Sequence, residues 1–223
     1  MIKYHPSDDL LRDHAAGTLL ASMSIAVSAH CEMCKTCRQR VMQLEQQIAD
    51  DVFADNHSVG EQHDDLDDTF ENMMTAITSD SSAPVTLVTP SPASNIDVGG
   101  ERYALPIALR RYHHLGWSSI GAISRARLPL NEGDTRASLL HIGMNGSVPS
   151  HTHKGMEVTL LLSGHFEDEH DTYVPGDFIV LDASNNHTPH TRDGCLCYTV
   201  ADAPLHFTKG VSKLLNTVGR VIY

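Results

Sequence analysis

The sequence predicts a two-domain protein, with a small all-α helical bundle at the N-terminus and an all-β barrel at the C-terminus. Apolar residues recur at spacings of three and four up to about residue 80, as in amphipathic helices. A stretch rich in Ser and Pro follows, and from about Tyr103 short apolar runs alternate with turn residues. The predicted limits are 1–80 for the helical domain, 81–100 for a linker and 101–223 for the β domain.

Three helices are predicted in the first domain. The first begins near Asp8 or Asp9, either of which can cap it, and carries apolar residues from Leu10 to Met23. The second runs from about Glu32 to Phe53, and the third from about Leu66 to Thr78. The third helix has an apolar stripe formed by Leu66, Phe70, Met73, Met74 and Ile77. Such a stripe either completes the core of a small bundle, the interpretation we favour, or docks on a partner groove.

The β domain contains several short apolar runs separated by turn sequences such as Asn145-Gly146 and Pro175-Gly176-Asp177. Many short strands with regular turns are typical of a sandwich or a barrel. The predicted strands are Ser118–Ala126, Ala137–Met144, Glu157–Leu162, Asp177–Leu181, Leu196–Ala201 and Arg220–Tyr223.

Charge is distributed unevenly along the 223 residues, whose formal net charge is −12. The segment from Val41 to Gly100 has no Lys or Arg and holds twelve acidic residues, so it carries the whole imbalance. Nucleic acid would repel this segment, whereas a basic protein surface would attract it. A solubilising, partly disordered linker explains the same composition equally well. We therefore expect no direct binding of nucleic acid.

The hydropathy, the N-terminal residues and the cysteine pattern predict the location and redox compartment of the protein. No apolar run approaches the roughly 20 residues of a membrane span, and the N-terminus does not resemble a secretory signal. The five cysteines are odd in number and form two tight clusters: Cys31, Cys34, Cys37, Cys195 and Cys197. This pattern favours metal binding in a reducing compartment over a disulfide framework. The sequence predicts a soluble, cytoplasmic protein that does not contact a membrane.

A His/Cys motif near the N-terminus predicts a zinc site. His30, Cys34 and Cys37 are spaced H-x3-C-x2-C, and on a helix they would point to one side. Zn²⁺ in a structural site takes four N or S ligands in a tetrahedron. His5 is the best source of the fourth ligand, with Cys31 and His14 as rivals.

The motif resembles that of the zinc-binding anti-sigma family. The resemblance covers roughly residues 1–80 and is strengthened by the acidic amphipathic helix after the motif. Members of that family use a small helical domain to sequester a group IV sigma factor.

A second constellation lies in the β domain. His151, His153 and Glu157 form H-x-H-x3-E, and their common parity lets all three point to one side of strands. A facing histidine would complete a site of three His and one Glu, and His187 is preferred over His190. The pattern resembles the two cupin motifs, although the glycine expected before His151 is displaced to Gly146. The resemblance implies a cupin barrel, a double-stranded β-helix that binds Zn²⁺ or another divalent metal.

Together the two modules resemble the ChrR-type zinc-binding anti-sigma factors, and this resemblance spans nearly the whole chain. It implies a transcriptional regulator, not an enzyme, that sequesters a sigma-E-like group IV (ECF) sigma factor and releases it under singlet oxygen or related oxidative stress. It also implies zinc on His5, His30, Cys34 and Cys37, and a cupin metal on His151, His153, Glu157 and His187.

Two questions stay open at the level of sequence. The alternative functions are a cupin metalloenzyme resembling a small-molecule dioxygenase, and a sensor of a small acid with a helical zinc appendage. Cys195 and Cys197 lie on one predicted strand with both sulfurs on one face, which is a poor arrangement for a mutual disulfide. They are either a redox-sensitive pair or buried free cysteines.

Overall fold

A computed structural model describes residues 1–55, 64–80 and 95–208. These residues fall into two compact units, the first within Met1–Glu45 and Pro92–Tyr223 and the second within Gln46–Ser91. The predicted strand at Arg220–Tyr223 and most of the predicted linker lie outside the described residues. Among the described residues, no helix combines the length and the apolar character needed to cross a membrane.

Four α-helices precede the sheets, and they are α1 (Asp8–Ala15), α2 (Ala21–Met33), α3 (Lys35–Asp55) and α4 (Asp64–Ser79). Ser7, not Asp8 or Asp9, caps α1, because its hydroxyl accepts a hydrogen bond from the Leu10 N–H. Gly17, with φ of +70°, lies just after α1, so the predicted first helix is two helices. The predicted second helix begins close to the start of α3, and the third corresponds to α4.

The helix α2 is buried on several sides, and it packs against strand β12 (Cys195–Ala201) and a 3-10 helix at Ile107–Tyr112. Its buried residues are Ser22, Met23, Ala26, Val27, Ala29, His30 and Cys31. The Tyr198 hydroxyl of β12 donates a hydrogen bond to the Ser22 carbonyl at 2.9 Å. The first helices and the β region therefore share one hydrophobic core within the first unit.

The strands, in chain order, are β1 (Asn95–Val98), β2 (Glu101–Ala104), β3 (Ser118–Ile120), β4 (Ile123–Arg127), β5 (Arg136–Ile142), β6 (His151–His153), β7 (Glu157–Gly164), β8 (Phe166–Glu167), β9 (Thr172–Tyr173), β10 (Phe178–Leu181), β11 (Asn186–His187), β12 (Cys195–Ala201) and β13 (Leu205–Phe207). All pairings between these strands are antiparallel. The predicted strand Ser118–Ala126 is a hairpin of β3 and β4, and β1 begins inside the predicted linker.

Two sheets form the body of the β region. One has six strands in the order β10-β7-β12-β5-β4-β3, and the other has three in the order β11-β6-β13. The hairpin of β8 and β9 is a separate two-stranded sheet, and so is that of β1 and β2. The described pairings do not close into a single ring, but the predicted all-β domain after a helical region is confirmed. The domain limits themselves stay a prediction.

The apolar stripe predicted on the third helix is exposed where its side chains are described. The exposed fractions on α4 are Phe70 55%, Met73 51%, Met74 41% and Ile77 63%. Our preference for an intramolecular core role is therefore wrong for these four side chains. Val52 and Phe53, near the end of α3, are also exposed.

Candidate metal centres

The N-terminal cluster brings together the four predicted residues. His5 precedes α1, His30 lies in the last turn of α2, Cys34 lies between α2 and α3, and Cys37 is in the first turn of α3. Their four donor atoms lie within 4.8 Å of one another. The His5 Nδ1 atom is 3.5 Å from the Cys34 sulfur and 3.4 Å from the Cys37 sulfur.

The predicted helical arrangement of this motif is wrong. The chain is extended at Cys34, with φ −115° and ψ 106°, so His30 and Cys37 lie on different helices. The Cys34 N–H still donates to the His30 carbonyl at 2.7 Å, which closes α2. Because the helices meet at this break, the motif gathers its donors at a corner instead of along one helical face.

The chemistry of the cluster fits a metal ion. The His30 Nδ1–H donates to the Gly176 carbonyl at 2.8 Å, and within the described chain the buried Nε2 atom has no hydrogen-bond partner. Burial lowers the pKa of His30 to about 4, so its ring is neutral near pH 7. The nitrogen-to-sulfur distances match the roughly 3.5 Å between such ligands on a tetrahedral zinc ion. A hydrogen bond on the far nitrogen is the usual way to orient a ligating imidazole.

The rivals for the fourth position have other surroundings. His14 Nδ1 is 3.1 Å from the Ser24 hydroxyl, and Nε2 is 3.5 Å from that of Ser28. Cys31 is buried but does not belong to the group of four donors. Burial raises the pKa of the Cys31 thiol to about 11. His5 is thus the residue that the structure brings to the His30, Cys34 and Cys37 donors.

The second cluster lies between the two sheets. His151 and His153 alternate on β6, Glu157 begins β7, and His187 ends β11, where it pairs with His151. The His187 Nε2 atom is 3.0 Å from His151 Nε2 and 3.3 Å from His153 Nε2. The four donor groups lie within 4.8 Å of one another. The parity argument from sequence applies to His151 and His153 on β6, whereas Glu157 lies on β7, a strand of the other sheet.

Two imidazoles of this cluster are oriented through their Nδ1 atoms. That of His151 donates to the Pro149 carbonyl at 2.9 Å, and that of His187 lies 3.0 Å from the Asp168 carboxylate. The His153 Nδ1 atom is 2.9 Å from Glu157 Oε2, but its geometry there is not that of a hydrogen bond. The Nε2 atoms of the three rings face one another, and each can offer a lone pair.

Such close lone pairs repel unless a cation lies among them, so this donor set also fits a metal ion. Separations of 3.0–3.3 Å lie within the roughly 2.9–3.4 Å expected between nitrogens on one metal. Burial lowers the pKa of His151 to about 4, which keeps its ring neutral near pH 7. His190, the alternative ligand, is 44% exposed and 3.9 Å from Glu167, apart from this group.

A small cavity of about 50 Å³ adjoins the second cluster. Its lining includes His151, Glu157 and His187 but no Lys or Arg, and it is otherwise mainly apolar. Cys197 also lines it, and both Cys195 and Cys197 are buried free thiols. The hydrogen bond with Cys195, together with burial, raises the pKa of the Cys197 thiol, which makes that thiol a poor nucleophile.

Sequence reasoning missed the residues that orient the two clusters. Asp168 faces His187, the Gly176 carbonyl faces His30, and Asp177 holds the backbone that leads to His5. None of these belongs to a motif with metal-ligand spacing. Pro175-Gly176-Asp177 was interpreted as a turn before a strand and as part of the second cupin motif, and its contacts with the N-terminal cluster were not foreseen.

These features define a class of protein in which helices carrying a two-His, two-Cys cluster are joined to a cupin carrying a three-His, one-Glu cluster. A family model described as the ChrR cupin-like domain matches residues 108–205. The anti-sigma-E factor ChrR of Cereibacter sphaeroides is 30% identical over 222 residues, 99% of each chain. The chain therefore belongs to the ChrR family of anti-sigma factors, which are regulators and not enzymes.

A solved structure supports the same assignment. The crystal structure of Rhodobacter sphaeroides SigE in complex with the anti-sigma ChrR matches with a TM-score of 0.65 and 28% identity. The match covers 90% of this chain and 99% of that one. The resemblance to ChrR-type anti-sigma factors, and the cupin fold it implied, are thus confirmed.

Proposed function

We propose that this chain sequesters a group IV, sigma-E-like sigma factor in the cytoplasm and releases it when the cupin responds to singlet oxygen or a related oxidant. The observation that carries the sigma-binding part is the exposed stripe of Phe70, Met73, Met74 and Ile77 on α4. An amphipathic helix with an uncovered apolar face is suited to docking in a partner groove. Two of its four side chains are Met, which adapts its shape to a partner.

Charge supports a partner that itself binds DNA. The segment Val41–Gly100, to which α4 belongs, contains no Lys or Arg. A sigma factor presents basic surfaces to DNA, and an acidic helix complements such surfaces. The same charge opposes direct binding of this chain to nucleic acid.

The metals have separate roles in this proposal. Zn²⁺ is the ion for the N-terminal cluster, because two thiols and two imidazoles in a tetrahedron are a structural zinc set. When bound, it supplies a rigid link between the N-terminal segment and the ends of α2 and α3. His151, His153, Glu157 and His187 hold Zn²⁺ or another divalent metal in the cupin. The cavity beside them gives a small uncharged molecule room near that site.

The cavity limits the two alternative functions. The described lining has no Lys or Arg, so a small acid could bind there only through the cupin metal. A metalloenzyme would need a substrate that fits about 50 Å³ beside the cluster. Membership in a family of regulators also favours the sensor role of the cupin.

The test is reconstitution with group IV sigma factors from the same organism. The full chain, loaded with zinc, should form a one-to-one complex with one of them and prevent its binding to core RNA polymerase. Metal analysis should find about two equivalents for each chain, as two closed sets of donors require. A folded, zinc-loaded chain that captures no group IV sigma factor would refute the proposal.

A further inference from the structure

A single stretch of the cupin, Asp168–Phe178, touches both metal clusters, and we call it the bridging segment. Its first residue faces the cupin cluster. The Asp168 side chain is only 1% exposed, and its Oδ2 atom lies 3.0 Å from His187 Nδ1. Its Oδ1 atom accepts hydrogen bonds from the N–H groups of His170 and Asp171. The orientation of a cupin donor is therefore tied to the backbone of this segment.

The middle of the bridging segment holds the N-terminus of the chain. The Asp171 carboxylate accepts a hydrogen bond from the Tyr4 hydroxyl at 2.6 Å and lies 2.6 Å from the Lys3 ammonium group. These contacts fix the residue that directly precedes His5. A contact made at the cupin surface thus helps to place a donor of the other cluster.

The end of the bridging segment also holds the N-terminus, through hydrogen bonds to its backbone. The buried Asp177 carboxylate accepts the N–H groups of Lys3 at 2.6 Å and Tyr4 at 3.1 Å. The Phe178 N–H donates to the Tyr4 carbonyl at 3.0 Å. Ile2 lies against Gly176, where φ is +96° and an added Cβ would overlap the Ile2 side chain. The N-terminal residues are therefore held beside β10 as if they were an additional strand.

The same turn orients a second donor of the N-terminal cluster. The Gly176 carbonyl accepts the His30 Nδ1–H, and the ring of Phe178 contacts that of His30 edge-on at 5.8 Å between centroids. Two of the four N-terminal donors, His5 and His30, thus take their positions from the cupin. Without these contacts, His5 would end a short free segment whose ordering entropy opposes metal binding.

We propose that the bridging segment couples the two metal sites, so that loss of the cupin metal speeds loss of metal from the N-terminal site. The proposal rests on the metal binding proposed above. Asp168 is a positioning residue of the cupin site, and Asp177 is a positioning residue of the N-terminal site. Freeing His187 removes a constraint on Asp168 and hence on the backbone of Asp171. Coupling of this kind is reciprocal, so an intact N-terminal site also favours metal in the cupin.

Co²⁺ is the probe that separates the sites, because only the N-terminal site contains thiolates and gives a cobalt–thiolate charge-transfer band. The full chain is loaded with Co²⁺, and the decay of this band is followed in excess chelator. Asp177→Asn should accelerate the decay about tenfold, the effect of one weakened charged hydrogen bond. His151→Ala, which removes a cupin donor, should also accelerate it.

Two further variants distinguish coupling between the metal sites from a general destabilisation of the fold. Tyr4→Phe removes only the hydrogen bond to Asp171 on the surface and should accelerate decay about threefold. Asp182 lies in a turn outside the bridging segment, and its carboxylate accepts hydrogen bonds from Ser184. Asp182→Asn should leave the decay unchanged. Equal decay rates in wild type, Tyr4→Phe and His151→Ala would overturn the coupling alone. A wild-type chain without the thiolate band would remove the proposed N-terminal metal site as well.

Discussion

The two clusters of candidate metal ligands have the same number of donors but are built in different ways. The N-terminal cluster joins two thiols and two imidazoles from the N-terminal segment, the end of α2, the break after it and the start of α3. The cupin cluster takes its donors from three strands of the two sheets, β6, β7 and β11, and borders a cavity. The first cluster therefore cross-links separate parts of the chain, whereas the second lies in a framework that the sheets already hold.

This difference predicts a division of labour. Removing a cross-link should disturb the helices that follow it, including their capacity to bind sigma. Removing a donor from a framework held by strand pairing should leave the fold intact and affect the response only. The bridging segment is the route by which the second event reaches the first.

The largest effect is expected for Cys37→Ala. Loss of one thiolate should release the N-terminal metal, and because metal binding stabilises such small helical modules directly, sigma affinity should fall by about 100-fold or more. Metal analysis and titration with the sigma factor measure the two effects. Cys31→Ala is the matched control, since Cys31 is also buried but lies outside the donor group. Equal losses in the two variants would mean that thiol burial, and not metal binding, supports the helices.

A smaller effect is expected for Phe70→Ala on α4. Aromatic side chains at the centre of an interface contribute most of the binding energy, so sigma affinity should fall by roughly 10- to 100-fold. Both metals should remain bound, which separates this variant from Cys37→Ala. The control is Ile120→Ala, because Ile120 is 70% exposed on β3 of the cupin. A loss of affinity in the control and not in Phe70→Ala would move the sigma surface to the cupin.

The contrast between the clusters also explains what the sequence could predict. Of the cupin donors, His151 and His153 follow from parity on β6, because alternation along one strand is a local rule, whereas Glu157 lies on β7. Even so, His187 had to be chosen over His190 from a displaced motif. The N-terminal donors follow from spacing, but the helical geometry assumed for them is wrong because the chain is extended at Cys34.

Two features could not be predicted from local pattern. The helix α2 was not predicted as a separate helix, because small buried residues such as Ala26 and Ala29 leave it without an amphipathic period. The positioning residues Asp168 and Asp177 were missed because their partners are 19 and about 170 residues away in sequence. Contacts of that range arise from the packing of the helices on the cupin, which no motif spacing encodes.

Next in size is the effect of His151→Ala. The metal content should fall from about two equivalents to about one, because the cupin metal loses one of its four proposed donors. Sigma affinity should stay within about threefold of wild type, as for a change distant from an interface. A reporter of the sigma factor should respond less to a photosensitiser that generates singlet oxygen. Wild-type induction in this variant would remove the sensor role from the cupin.

The smallest expected effect is a difference between the two clusters in the number of protons released when a metal binds. Burial, reinforced by Cys34, raises the pKa of the Cys37 thiol to about 12, so this thiol is neutral at pH 7 and must lose a proton to bind zinc. In the cupin, burial lowers the pKa of His151 to about 4. Burial pushes the pKa of Glu157 upward, but the close contact with the His153 imidazole and the other neighbouring imidazoles lower it overall. Neither His151 nor Glu157 therefore has to lose a proton to bind a metal at pH 7.

Calorimetric titration of the metal-free chain in buffers of different ionisation enthalpy measures this release. His151→Ala isolates the N-terminal site and should release about one proton or more, whereas Cys37→Ser isolates the cupin site and should release few. The sign of the pH dependence follows: N-terminal affinity rises about tenfold per pH unit per proton near pH 7. Protonation of His151 weakens cupin affinity only as the pH falls towards the His151 pKa of about 4. Equal proton release at the two sites would contradict the expected contrast. That contrast is between an N-terminal site whose Cys37 thiol must lose a proton and a cupin site whose His151 ring is already neutral.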